Sequence, residues 1–156
     1  MPVSAVLAFL FLATPGTGSP LERFFIGTTQ GSGTVDVIMS GRHAMRDRTR
    51  GRMDAGGALL LDQIVEEEGK PARRRTWRLV RSGGNRITGT ISDVRGAVAG
   101  EVGETSLHLR YRLEEGPFVE QWIALQPGGR SARNRMTFQR FGLKVASVES
   151  EIRKVE

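Results

Sequence analysis

The chain contains no cysteine. That excludes disulfide bridges as a source of stability, and it excludes the acylated N-terminal cysteine by which bacterial lipoproteins are anchored. Lysine is nearly missing too: 3 of the 23 basic residues are Lys and 20 are Arg, for a formal net charge of +6. An Arg-heavy, Lys-poor chain fits either a compositional bias of the genome or an anionic partner. Histidine occurs only at His43 and His108, with no second His or Cys at a metal-ligand spacing. No Gly-x-Ser-x-Gly elbow or other nucleophile motif is present, and Gly31-Ser-Gly-Thr-Val-Asp36 lacks the third glycine and the helix of a dinucleotide loop. No motif calls for a cofactor or a metal, and the expectation is a protein that is not an enzyme.

Charge is absent from the first twenty residues, where Ala5 to Ala13 form an apolar run followed by Thr14-Pro-Gly-Thr-Gly-Ser-Pro20. The run is too short to cross a bilayer as a helix and has the length of the apolar core of an export signal, with Gly16 and Gly18 at the small-residue positions before a cleavage site. Residues 1–18 are therefore expected to be a signal peptide and 19–156 one domain, periplasmic or secreted, soluble and not lipidated. If retained, the segment would act as a membrane anchor. Nothing in the interior reads as a linker, and this length suits a single core.

What is abundant is alternation. After a short apolar cluster, Leu21 to Ile26, expected as a turn or lid packed on a sheet, the chain becomes period-two runs broken by Gly, Asp and Asn. The runs cover 33–40, 42–54, 58–67, 72–81, 85–92, 97–102, 106–113, 118–126, 134–141 and 144–153. In the seventh, Leu107, Leu109, Tyr111 and Leu113 share one face and Ser106, His108, Arg110 and Arg112 the other. In the eighth, Val119, Ile123 and Leu125 share a face with Gln121, opposite Glu120, Trp122 and Ala124, so that strand is mixed on both sides. Short hairpin connections throughout favour an antiparallel up-and-down barrel over a sandwich. Glycine inside strand-forming sequence, at Gly89, Gly96 and Gly100, marks where the sheet should coil most sharply.

Two segments concentrate charge. Arg42, Arg46, Arg48, Arg50 and Arg52 fall on one strand face, opposite His43, Met45, Asp47, Thr49 and Met53. Such a row is either a solvated outer wall that discourages edge pairing or a docking stripe for an anionic envelope surface. Aromatic interleaving is missing from it, and nucleic acid is not an expected partner. In the second segment Arg75, Trp77 and Leu79 share a face, so a buried Trp77 takes Arg75 inward, where it needs a carboxylate or a ligand's anionic group. Asp62 and Asp93 are the internal options. The acidic runs Glu66 to Glu68 and Glu114-Glu115 read as solvated hairpin tips.

The order of motifs, Arg75-x-Trp77, Thr88-Gly89-Thr-x-x-Asp93-Val94-x-Gly96-x-x-x-Gly100, Tyr111-x-Leu113, Trp122-x-x-Leu125, Asn134-Arg135 and Phe141-Gly142, resembles the bacterial family catalogued as domain of unknown function 3833 (DUF3833), over residues 21 to 154. The resemblance implies a lipocalin- or calycin-like barrel in an envelope protein without an established activity. Two positions depart from the family pattern: Gln121 stands where an acidic residue is usual before the tryptophan, and Arg140 where Lys commonly precedes Phe-Gly.

The resulting expectation is an all-β barrel of about eight to ten strands that binds an apolar or amphipathic small molecule, such as a lipid or fatty-acid-like ligand. Arg75, Trp77, Asp93, Tyr111, Trp122 and Arg135 are expected to line or gate the interior. Leu61, Leu79, Ile87, Ile91, Leu107 and Leu109 are expected to be plain core. The alternative is a filled barrel that docks on an anionic surface through the Arg42 to Arg52 face.

Overall fold

A computed structural model describes residues 18–156. The expected signal peptide falls outside the described residues but for its last position. One short helix, α1 (Pro20–Phe24), precedes ten strands: β1 (Gly27–Val37), β2 (Gly41–Met53), β3 (Leu59–Glu67), β4 (Arg73–Gly83), β5 (Arg86–Ile91), β6 (Val94–Val102), β7 (Ser106–Leu113), β8 (Phe118–Leu125), β9 (Ser131–Arg140) and β10 (Leu143–Lys154). Each pairs antiparallel with its neighbour in sequence, and β10 returns to β1 with Thr29 opposite Lys154 and Val37 opposite Ala146, so the barrel is closed and no edge remains.

The glycines in β5 and β6 explain how so small a barrel turns its corners. At Gly89 a Cβ would lie 1.8 Å from the Arg78 carbonyl oxygen of the next strand, and at Gly100 one would lie 1.9 Å from that of His108. Backbone approaches that closely only because no side chain intervenes. Gly96, at φ +73°, sits where the β6–β7 register jumps between Arg95 and Ala99, a bulge that bends the strand.

The cluster from Leu21 to Ile26 folds as a helix where a turn or lid was expected. Its five residues are too few to be stable in isolation, but both ends are tied. Ser19 is the N-cap of a capping box with Glu22, and Pro20 occupies the first turn, where its missing N–H costs nothing. Lys154 Nζ donates to the Phe24 and Ile26 carbonyls, and Arg81 Nε donates to buried Glu22 at 2.9 Å. Leu21, Phe24 and Phe25 are thereby held as a plug in one end of the barrel, against Leu59, Leu79, Ile87, Leu107 and Ile152. The six expected core leucines and isoleucines are all buried. A second apolar cluster, Val35, Met45, Val65 and Val148, lines the other half, with Val37, Met136 and Phe138 packed beside it. That half is the unplugged one.

Candidate functional site

Between the plug and the opposite hairpins lies a cavity of about 230 Å³, reaching from Phe25 and Leu59 at its base to Glu67, Lys70, Arg73 and Asp93 at its rim. It exceeds the roughly 150 Å³ of an engineered apolar cavity that takes up benzene.

β4 carries the central cation into it. Strand alternation puts Arg75, Trp77 and Leu79 on the inner face, and all three are buried, Arg75 to 6% exposure. The guanidinium meets Asp93, on the β5–β6 turn, in a bidentate fork: Nε to Oδ2 at 2.8 Å and Nη2 to Oδ1 at 2.9 Å. Its carbon also lies 4.9 Å from the centre of the Trp77 ring, close enough for cation–π attraction. Burial alone would lower the Arg75 pKa; the Tyr111 hydroxyl and the Asp93 carboxylate outweigh it and hold the group above its ordinary value. Asp62, the other option, pairs with Arg74 on the outside.

Around this pair runs a polar network. Trp77 Nε1 donates to Gln63 at 3.1 Å, and the Trp77 and Tyr111 rings meet edge to face at 6.3 Å. Tyr111 donates to Gln121 at 2.9 Å, Gln121 to Asn134 at 2.8 Å, and Asn134 to Ser150 at 3.1 Å. Four strands are thus cross-linked through groups that would be costly to bury unpaired. On the facing wall Asp47 accepts from Thr49 at 3.3 Å. Burial pushes its carboxyl pKa up, against the pull of Gln63, Thr49 and Arg75. At the rim, Glu67 faces His43 at 2.9 Å, Arg73 at 3.1 Å and Lys70 at 3.2 Å; burial opposes its ionisation, and the hydrogen bonds from His43 and Lys70 together with the charges of Lys70 and Arg73 outweigh burial and lower its pKa.

Four of the six expected interior residues, Arg75, Trp77, Asp93 and Tyr111, meet at this cavity. Trp122 and Arg135 do not, which corrects the expectation for both. In β8 the inward positions are Val119, Gln121 and Ile123, so Trp122 projects from the outer wall. It lies in register between His108 and Arg135, stacked on the imidazole at 4.9 Å and 9°, with the guanidinium 5.6 Å from its centre. Asp47, Gln63 and Asn134 line the same cavity and are not among the interior residues expected from the sequence. The available signal was polarity on an otherwise apolar face, visible for Gln121 beside Val119 and Ile123.

The Arg42 to Arg52 row stands on the outer wall, exposed along its length. Arg42 pairs with Asp36 at 3.2 Å and Arg46 with Glu66 at 3.3 Å; Arg48, Arg50 and Arg52 have no ion pair within 4.0 Å among the described residues. His108 lies 2.7 Å from Glu120, and among the described residues no three His, Asp or Glu side chains converge in a way that could hold a metal ion.

The model of a family described as "Protein of unknown function (DUF3833)" matches residues 16–154. The chain belongs to that family. No curated protein matches it. Among solved structures, an S-type phycobiliprotein lyase from Guillardia theta shares the fold at a TM-score of 0.66 and 7% identity, over 87% of this chain and 91% of that one. The lipocalin- or calycin-like barrel implied by the DUF3833 resemblance is the architecture found. In this family member the cavity offers one apolar volume, one buried cation fork with donors to spare, and a rim of mixed charge.

Proposed function

We propose that the barrel binds an amphipathic small molecule, its apolar part in the 230 Å³ cavity and an acidic or acceptor group beside Arg75. The observation that carries this reading is the guanidinium itself. It is 6% exposed in a mostly apolar space, and of its five N–H donors Asp93 engages two and the Tyr111 hydroxyl approaches another, which leaves donors for a ligand. A buried ion pair that serves structure alone can often be replaced as a whole by packed hydrocarbon without loss of stability, whereas a recognition site needs the charge. The cavity also favours this reading over the filled barrel, which would leave no such space. Fatty-acid-like and lipid-fragment ligands fit the chemistry, and the phycobiliprotein lyase likeness supports a small-molecule role without indicating the molecule.

Native mass spectrometry of the protein purified from its own cells, followed by denaturation, tests the reading. A stoichiometric small molecule, released on unfolding and lost in Arg75→Met while that variant remains folded, is the expected result. An apo spectrum, together with no quenching of Trp77 on titration with medium-chain fatty acids, would sink it. The same intact mass tests the export proposal, which expects the purified chain to begin after Gly18.

A further inference from the structure

The unplugged end of the barrel is ringed by the β1–β2, β3–β4, β5–β6, β7–β8 and β9–β10 hairpins, and two that are adjacent differ in kind from the rest. The tips of β1–β2 and β9–β10 are joined by the β1–β10 pairing and by a hydrogen bond from Ile38 N to the Val145 carbonyl at 3.0 Å. They display Ile38 at 55%, Met39 at 100%, Phe141 at 101% and Leu143 at 71% exposure, the four most exposed large apolar side chains among the described residues.

The backbone makes this more pointed. Met39 (φ +73°) and Phe141 (φ +52°) are the only non-glycine residues at positive φ among those described. Arg140 pairs with Leu143 across the two-residue turn Phe141-Gly142, both at positive φ, a turn in which Asn-Gly is the favoured pair. At each tip, then, an apolar residue stands where local conformation favours Asn or Gly, and it packs against nothing. Folding gains nothing from either choice.

Charge says what such tips would meet. Between residues 36–42 and 139–145 there are three cations, Arg42, Arg140 and Lys144, and one acid, Asp36, which already pairs with Arg42. The rim's acidic runs, Glu66 to Glu68 and Glu114-Glu115, belong to the flanking hairpins. A second copy of the chain would bring like charge to like, whereas an anionic bilayer complements both the cations and the apolar tips.

We propose that the β1–β2 and β9–β10 tips dock the barrel's mouth on an anionic phospholipid bilayer, tilted so that the acidic hairpins stay in water. Ile38, Met39, Phe141 and Leu143 enter the boundary between headgroups and acyl chains, and Arg42, Arg140 and Lys144 face lipid phosphates. This places docking at the mouth rather than along the Arg42 to Arg52 wall. Docking stands without any ligand; that it serves ligand passage rests on the carrier reading above.

The test uses the protein as purified from its own cells, so that every variant shares the same N-terminus, with vesicles of phosphatidylcholine alone or mixed with phosphatidylglycerol. Wild type should co-sediment with the mixed vesicles and release them at high salt. The Met39→Asn/Phe141→Asn double variant should bind them on the order of a hundredfold more weakly, roughly tenfold per side chain, with a melting temperature no lower than wild type, because Asn suits positive φ. Met39→Cys, the sole cysteine of that chain, carries an environment-sensitive fluorophore that should shift to the blue on mixed vesicles only. Undiminished binding by the double variant, equal binding to neutral vesicles, or an unmoved fluorophore would overturn the proposal. So would a concentration-dependent dimer of wild type that the double variant abolishes, which would assign the tips to self-association. Ligand retained by the tip variant and lost by Arg75→Met would separate the fate of this proposal from that of the carrier reading.

Discussion

Deleting Asp93 and deleting Arg75 break the same ion pair, yet the two changes should differ sharply in cost, because the partners are unequally buried. The Arg75 side chain is 7% exposed and that of Asp93 34%. Asp93→Ala strands a guanidinium inside the barrel, where the Trp77 ring at 4.9 Å is partial compensation, and stranding a buried charge costs about 3–5 kcal/mol. With the ring offsetting part of this, a loss of about 3 kcal/mol is expected, or roughly 6–12 °C in melting temperature for a chain of this size. Arg75→Met leaves Asp93 at the rim, where water can solvate it, and fills the vacated space with hydrocarbon of similar length. The expected change is within about 1 kcal/mol of zero. Urea unfolding followed by tryptophan fluorescence measures both, and the double variant completes a cycle. Equal costs, or a larger cost for Arg75→Met, would refute the burial argument. They would also make Arg75 a structural residue and remove the main support for its role in ligand recognition.

Asp47 has its carboxyl pKa raised by burial, so the folded chain binds more protons than the unfolded chain between the ordinary value of 3.8 and the elevated one. Stability therefore falls as pH rises through that window, and the penalty is complete above the folded pKa. Asp47→Asn should flatten this part of the stability profile and unfold at higher urea than wild type at neutral pH; an unchanged profile would contradict the assignment. The two tryptophans should part company under truncation. Trp77→Ala, in the core, is expected to cost about 3–5 kcal/mol, and Trp122→Ala, on the outer wall, no more than about 1.5 kcal/mol, with ligand retention unaffected by the latter. Loss of ligand in Trp122→Ala would mean that the outer His108, Trp122 and Arg135 stack communicates with the cavity.

Local rules were enough to read much of this molecule from its residues. Alternation with period two, interrupted by turn residues at short intervals, specifies a hairpin meander, and in β7 it separates Leu107, Leu109 and Tyr111 from His108 and Arg110. The same parity carries Arg75 inward with Trp77. These are properties of neighbours along a strand, and no distant contact changes them.

Distant pairing settled the rest. Parity says which side chains share a face but not which residue stands opposite. Thus Arg75 had two candidate carboxylates until register placed Asp62 opposite Thr76 on the outside, where Arg74 reaches it diagonally, and the β5–β6 turn brought Asp93 to the rim. Pairing extended β1 back to Gly27, through polar residues with no strand signature of their own, because β2 partners it from Gly27 and β10 from Thr29 onward. In β8, transfer preference would turn Trp122 inward and Gln121 outward, and the barrel does the reverse. Gln121 finds Tyr111 and Asn134 on its two sides, so its buried amide has a partner at both oxygen and nitrogen, while Trp122 covers its ring with His108 and Arg135. Partners ten or more residues away decide such a choice, and alternation within one strand carries no information about them.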